Sequence, residues 1–350
     1  MGKGAYKQKE LQIVKENKSM IKIGISVGDI NGIGPEIILK CFNHREIFKY
    51  CIPIVYSPPY VLNFYRKQLN LNDVRINPIK NVSDARPKAI NVIDCFQNQI
   101  AIQSGQFDQE CGKLAASSLN AVAEDLLQKN IDACVTAPIN KENVQNAGLN
   151  FPGQTEFFTQ KAGASESIML LCSDKMRIAL VTGHNPISEV ASKINSDLIN
   201  SKLKLLISSL KKDFGIAKPK IAVLGLNPHA GENGKIGLEE VEIIAPLIKK
   251  FKDKGEFING PYPSDGLFGS GNYRKFDGIL AMYHDQALIP FKMISFEDGV
   301  NFTAGLNLIR TSPDHGTAFD IAGKGIASES SFRKALFMAI DISRQRNENY

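Results

Sequence analysis

Apolar residues follow two alternating rhythms along the 350-residue chain. Short runs of β-branched and aliphatic residues have the length and composition of strands covered on both faces: "IKIGISV" (21–27), "IPIVYS" (52–57), "AINVID" (89–94), "DACVTA" (132–137), "RIALVT" (177–182), "KIAVLGL" (220–226) and "GILAMY" (278–283). Between them apolar positions recur at helical spacing. Ala115, Leu119, Val122 and Leu126 form one such series, and Ile199, Leu203, Leu206 and Leu210 another, preceded by the cap residues Asn195, Ser196 and Asp197. Pro35 stands where a first helical residue belongs, and His44 continues that helix at the spacing of Ile37, Cys41 and Phe48, in a structural place. The alternation predicts an α/β protein with a largely parallel sheet. There is no internal repeat, low-complexity tract or long linker, so ordered chain must cross any domain boundary.

Composition narrows the class. The net charge is +6, but residues 1–20 hold five lysines against Glu10 and Glu16, so half of the excess lies in a basic, mobile tail. The remaining balance gives no reason for nucleic-acid binding and suits a small anionic substrate. No run approaches the ~20 apolar residues of a membrane span, and the basic start lacks the apolar core of a signal peptide. Six cysteines are scattered without a CxxC pair, the pattern of a reduced, cytoplasmic protein.

Three strand-like runs end on histidine: "RIALVTGH" on His184, "KIAVLGLNPH" on His229 and "GILAMYH" on His284. In open α/β sheets ligands gather at the carboxyl ends of strands, so three such histidines can converge. Three neutral imidazoles with one open position hold a catalytic divalent metal, whereas a lone loop histidine is more often satisfied by backbone. The spacings of 45 and 55 residues exclude a local zinc finger and make the site tertiary.

Beyond His284 stand Lys292, Asn301 and Arg310, an ammonium, an amide and a guanidinium in a polar, Gly-rich segment suited to a phosphate or carboxylate. Gln154 and Thr155 in "FPGQTEF" add uncharged groups for hydroxyl or phosphate oxygens. Asp265 and Asp285 are proton carriers or partners that orient the metal ligands, with loop capping as the alternative. The first strand is followed by "VGDINGIGPE" rather than GxGxxG, and GxxxxGK[ST] is absent, which disfavours a standard Rossmann domain and a P-loop enzyme.

The segments "GISVGDINGIGPEI", "VTAPINK", "FPGQTEFF", "LNPHAGENGKIGLEE", "GPYPSDGLF", "AMYHDQALIPFK" and "GVNFTAGLNLIRTSPDHGTAFDIAGKG" together resemble the 4-hydroxythreonine-4-phosphate dehydrogenase family of vitamin B6 biosynthesis, in order from Ile21 to Ala327. "GDINGIGPE" and "HGTAFDIAGKGIA" also resemble segments of isopropylmalate and isocitrate dehydrogenases. The resemblance implies a two-domain fold of that kind, with residues 21–145 plus 303–350 as one domain, residues 146–302 as the other, and the active site in the cleft between them. It implies a homodimer with a shared site and NAD- or NADP-linked, decarboxylating oxidation of a small phosphorylated hydroxy amino acid. It also implies a divalent metal (zinc, magnesium or cobalt) on His184, His229 and His284, one of them crossing the dimer interface. Substrate contacts fall on Thr155, Lys292, Asn301 and Arg310, and the adenosine end of the cofactor on His315, Gly316, Thr317 and Ala318.

Departures from the family pattern are informative. Its "GHTE" histidine is Gln154 here, which keeps hydrogen-bonding capacity and loses the titrating proton. "TTHLP" has become "TGHNP", and "HDQG" is "HDQA". Two rival activities share much of the pattern: a dehydrogenase for erythronate or threonate 4-phosphate, which Gln154 would favour, and a phosphate acyltransferase, which would need no metal. A non-catalytic metal-binding protein fits the anion anchors poorly.

Overall fold

The computed structural model describes residues 20–146, 151 and 153–348; the basic tail, apart from Met20, lies outside them. Twelve strands form one sheet: β1 (Ile21–Ser26), β2 (Cys51–Tyr56), β3 (Ile76–Ile79), β4 (Ile90–Ile93), β5 (Ala133–Thr136), β6 (Ile168–Cys172), β7 (Arg177–Leu180), β8 (Lys220–Leu224), β9 (Phe257–Tyr262), β10 (Gly278–Ala281), β11 (Val300–Ala304) and β12 (Arg310–Pro313). Their order is β3-β4-β2-β1-β5-β12-β11-β6-β7-β10-β8-β9. β11 runs antiparallel to β12 and β6, and β6 antiparallel to β7; all other neighbours are parallel. The seven strand-like runs of the sequence are all strands here, ending up to two residues earlier.

Helices cover both faces. On one lie α1 (Gly34–Asn43), α4 (Ser196–Lys212) and α6 (Ser330–Glu348), whose apolar stripes merge with Ile23, Leu170, Val223 and Phe302. On the other lie α2 (Gln109–Leu127) and α3 (Gln154–Lys161) over β2 and β5, and α5 (His284–Ser295) over β7, β10 and β8. Of the expected cap residues Asn195 is the one that caps α4, its side chain accepting from Leu198 N at 2.9 Å; Asp108, not foreseen, accepts from Glu110 N at the start of α2. His44 departs from expectation. α1 ends at Asn43, and His44 is its exposed C-terminal cap, 3.2 Å from Glu329 rather than in a helical stripe.

Side chains alternate across a strand, so the register of the central strands fixes which residues share a face. Asn301 opposes Ser312 and Leu171, and Thr311, on the opposite face, opposes Phe302. Met169, Leu171, Asn301, Thr303, Arg310, Ser312 and Thr136 therefore point to one side, and Leu170, Phe302 and Thr311 to the other. Thr311 donates from Oγ1 to Ala335 O of α6 at 2.8 Å, which confirms the core side. All six cysteines are free thiols, and burial pushes Cys134 and Cys172 up to about 12, leaving them uncharged and packed as small apolar groups.

Candidate active site

The polar face of β6, β11, β12 and β5 forms the floor of a cleft of about 910 Å³. Arg310 dominates it. Its side chain is 3% exposed, and its hydrogen-bond partners are all uncharged. Nε and Nη2 donate to Thr136 Oγ1 (3.0 and 2.7 Å), Nη1 to Thr303 Oγ1 (3.2 Å), and Nη2 also to Gln154 Oε1 (2.8 Å). Burial lowers its pKa to about 10, so the guanidinium keeps its charge at neutral pH. Glu156, on the same cleft, acts on it only at a distance, so a buried cation with no carboxylate in hydrogen-bond contact is a strong site for an incoming anion. Asn301 Oδ1, on the same floor, is buried without a hydrogen-bond partner, and Lys292 comes from α5 with its ammonium 3.9 Å from Asp314. Burial raises the Asp314 carboxyl above the usual range, with Lys292 opposing.

Gln154 and Thr155 begin α3, which carries them to the cleft wall. Gln154 uses both ends of its amide: Oε1 receives Arg310, and Nε2 reaches Ala137 O at 3.3 Å. The residue thus braces the guanidinium against β5. His315 and Gly316 also line the cleft; His315 Nε2 is buried without a partner, and burial lowers the imidazole's pKa. Thr317 and Ala318 lie behind them, with Thr317 O accepting from Ile33 N at 3.0 Å and joining this loop to the turn after β1.

β7 and β10 are neighbours, so the chain leaving their ends places His184 and His284 together, with ring centroids 5.4 Å apart. Partial burial, then Lys141 and His284, lowers the pKa of His184 and keeps it neutral. His284 Nδ1 lies 2.7 Å from Asp285 Oδ1. That pairing holds the proton on Nδ1 and turns Nε2 outward as a donor, the usual way a carboxylate orients a metal-binding imidazole. β8 also neighbours β10, yet His229 stands apart, exposed on a turn outside the cleft. Among the described residues no three histidine, cysteine or acidic side chains are close enough to hold a metal. The donor chemistry of the cleft therefore fits a metal in part, with two imidazoles side by side and no third ligand among the described residues.

Asp265, at the start of a short helix (Ser264–Gly269), is exposed and outside the cleft. Several cleft residues escaped sequence reasoning: Lys141, Lys202, Glu156, Ser312 and Asp314. Lys141 and Asp314 sit inside segments already notable as motifs, "VTAPINK" and "SPDHG"; Lys202 lies in an ordinary amphipathic helix and carried no signal.

Fold and cleft define an α/β protein whose polar cleft is lined by the cations Arg310, Lys292, Lys141 and Lys202. Residues 49–339 match the family model described as pyridoxal phosphate biosynthetic protein PdxA. A 4-hydroxythreonine-4-phosphate dehydrogenase from Bacteroides thetaiotaomicron is 48% identical over 334 residues, covering 95% of this chain and 91% of the relative. A crystal structure of 4-hydroxythreonine-4-phosphate dehydrogenase from Klebsiella pneumoniae is 34% identical with a TM-score of 0.80, covering 93% of this chain and 99% of the other. A relative from Cutibacterium acnes, provisionally named a D-threonate 4-phosphate dehydrogenase, is 36% identical over 92% of this chain and 94% of its own. The chain belongs to the PdxA family.

Proposed function

We propose that the protein oxidises 4-phosphohydroxy-L-threonine at its 3-hydroxyl carbon, with NAD or NADP as hydride acceptor. The product, 2-amino-3-oxo-4-phosphohydroxybutyrate, is a β-keto acid that loses carbon dioxide to give 3-amino-2-oxopropyl phosphate on the route to pyridoxine 5'-phosphate. The observation that carries this reading is the buried Arg310 guanidinium, which has only uncharged partners in the cleft that also holds His184 and His284. A phosphate supplies a countercharge, and of the five guanidinium N–H groups one, on Nη1, is not engaged by Thr136, Thr303 or Gln154 and can meet it directly. Lys292, Asn301 and Thr155 complete the anion clamp. The 48% identity to a 4-hydroxythreonine-4-phosphate dehydrogenase, against 36% to the relative named for D-threonate, favours the amino acid substrate.

His184 and His284 would hold a divalent metal, which when bound polarises the substrate hydroxyl and lowers its pKa. Imidazole donors favour zinc or cobalt over magnesium, which prefers oxygen ligands. His229 of a second copy completes the donor set in a homodimer. Supporting this, exposed apolar side chains lie on each of the three segments that carry His184, His229 and His284: Ile187 after His184, Leu238 and Val241 after His229, and Ile289, Met293 (82% exposed) and Phe296 along and just beyond α5.

Within one chain, Asp285 orients His284, and Asp314 and His315, beside Lys292 on the cleft wall, are placed to accept the hydroxyl proton, with Glu156 and Glu166 the other carboxylates of the cleft. Asp265 reaches the reaction only from the partner's side or through water. The loop His315–Ala318 holds the nicotinamide cofactor's adenosine end. The two domains are residues 21–145 plus 303–350, supplying β1–β5 and β12, and residues 146–302, supplying β6–β10. β11 spans the boundary between them under the cleft.

The test is nicotinamide reduction by zinc- or cobalt-loaded protein with 4-phosphohydroxy-L-threonine. Reduction with release of carbon dioxide, abolished by a chelator, is the expected result. Turnover of phosphorylated threonate or erythronate instead would overturn the substrate assignment, and metal-independent acyl transfer to phosphate would overturn the class.

A further inference from the structure

The turn that carries His229 has an unusual backbone. His229, Ala230, Gly231, Glu232, Asn233 and Gly234 all have positive φ, between 43° and 87°, and four of the six are not glycine. L-residues resist this left-handed conformation, so a run of them persists only where the surroundings over-determine it. The surroundings here combine backbone bonds within the turn (Ala230 N to Asn227 O at 3.1 Å, Ile236 N to Gly231 O at 3.0 Å) with one buried carboxylate at its entrance. Glu240 is 2% exposed, and its hydrogen bonds come from the two residues that enter the turn. Oε1 accepts from Leu226 N and Asn227 N, each at 2.7 Å, and Oε2 accepts from Asn227 Nδ2 at 3.0 Å. The second Asn227 Nδ2 proton goes to Glu239 Oε2 at 2.7 Å.

The turn also wraps the carboxylate closely. A Cβ at Gly231 would sit 2.5 Å from Glu240 Oε2, and one at Gly225 would sit 3.0 Å from Oε1. Glu240 opens a π-helical turn (Glu240–Ile244), a local widening that recurs at functional positions. One residue upstream of Leu226 the chain is fixed again. Gln286 donates to Gly225 O at 2.6 Å and to Ser264 Oγ at 2.8 Å, while its Oε1 accepts from Met282 N at 2.6 Å. The end of β8 is thereby bolted to the end of β10, which leads into His284.

We propose that Glu240 is a positioning residue for His229: it locks the left-handed turn so that the imidazole faces away from its own cleft and toward the His184–His284 pair of a second copy. The inference rests on the shared-metal reading above. It adds that this ligand is preset before assembly, because the charge-assisted bonds that hold the turn lie wholly within one chain.

Glu240→Gln tests it, since the amide keeps the shape but turns one acceptor into a donor facing donors. Zinc affinity, measured by competition with a chromophoric chelator, is expected to fall at least tenfold. Affinity for inorganic phosphate at the Arg310 cleft is expected to stay within twofold. Adding Ala230→Gly to Glu240→Gln, which frees one position to take positive φ, should recover part of the zinc affinity. His229→Ala provides the reference and should lose zinc affinity as well. If Glu240→Gln binds zinc like the parent while His229→Ala does not, the positioning role is wrong. If His229→Ala keeps full zinc affinity, the shared-metal reading fails and takes the proposal with it. Parallel losses of phosphate and zinc affinity in Glu240→Gln would show a general structural role and also overturn it. Should that variant not fold, Asn227→Ala removes the side-chain bonds alone and is held to the same outcomes.

Discussion

Replacing Gln154 with glutamate probes the anion site directly. Gln154 Oε1 lies 2.8 Å from Arg310 Nη2, so Gln154→Glu sets a carboxylate against a guanidinium that otherwise has uncharged partners only. Two unit charges ~4 Å apart interact by about 4 kcal/mol at an effective dielectric of ~20. Desolvating the new carboxylate opposes that gain, so the folded protein's stability should change little. Phosphate binding has no such offset. The phosphate loses a charge-assisted partner worth about 1.5–3 kcal/mol and meets a like charge nearby. A combined loss of about 3–5 kcal/mol corresponds to roughly 10²–10³-fold or more in affinity. Isothermal titration with inorganic phosphate measures this, and KM for the phosphorylated substrate should rise with it while the fold, checked by circular dichroism, is unchanged. A Gln154→Glu protein that binds phosphate within threefold of the parent would refute the reasoning, because Arg310 would then not be the anion's partner.

Asp285→Asn removes the carboxylate that fixes the His284 tautomer, and zinc affinity by chelator competition should drop about 10–100-fold, the usual effect of losing such a partner. Asp213→Ala should destabilise the fold by about 3–5 kcal/mol in urea titrations, since it strands the buried Arg346 guanidinium now 2.8 Å from Asp213 Oδ1. Burial, with Lys292 adding to it, lowers the His315 pKa, so the unfolded chain takes up its proton first as pH falls below its ordinary value near 6.5. Thermal stability should therefore decline on acidification through that range, and His315→Gln should flatten the decline.

Much of the fold was legible because buried parallel strands announce themselves as unbroken apolar runs. The strands that did not stand out are those with mixed faces. "VNFTA" and "RTSP" read as a polar, Gly-rich anchor segment, yet they are β11 and β12, polar on the cleft side and apolar or bonded to α6 on the other. That Arg310, Asn301 and Lys292 share one cleft could be read locally, because guanidinium, amide and ammonium groups cluster within twenty residues. Their geometry could not, since it depends on Thr136 and Gln154, far away in the chain. Three histidines at the ends of adjacent strands were also visible, and the sheet does place β7, β10 and β8 side by side. What sequence could not show is that the chain after β8 turns left-handed and carries His229 out of the cleft, a course set by Glu240 eleven residues later.

The alternation of β11 and β12 has a consequence for how this stretch can change over time. Cleft chemistry and helix packing are written on the same two strands in alternate letters. Inserting or deleting a single residue within Val300–Ala304 or Arg310–Pro313 would exchange the two faces of the strand that slipped. Arg310 would then be driven toward α6 and Thr311 toward the substrate, so one event would cost both core and site. Point substitutions here can be tested one at a time by selection, whereas changes of length cannot. The connection between the two strands, residues 305–309, is the only part of the hairpin free to vary in length without that penalty.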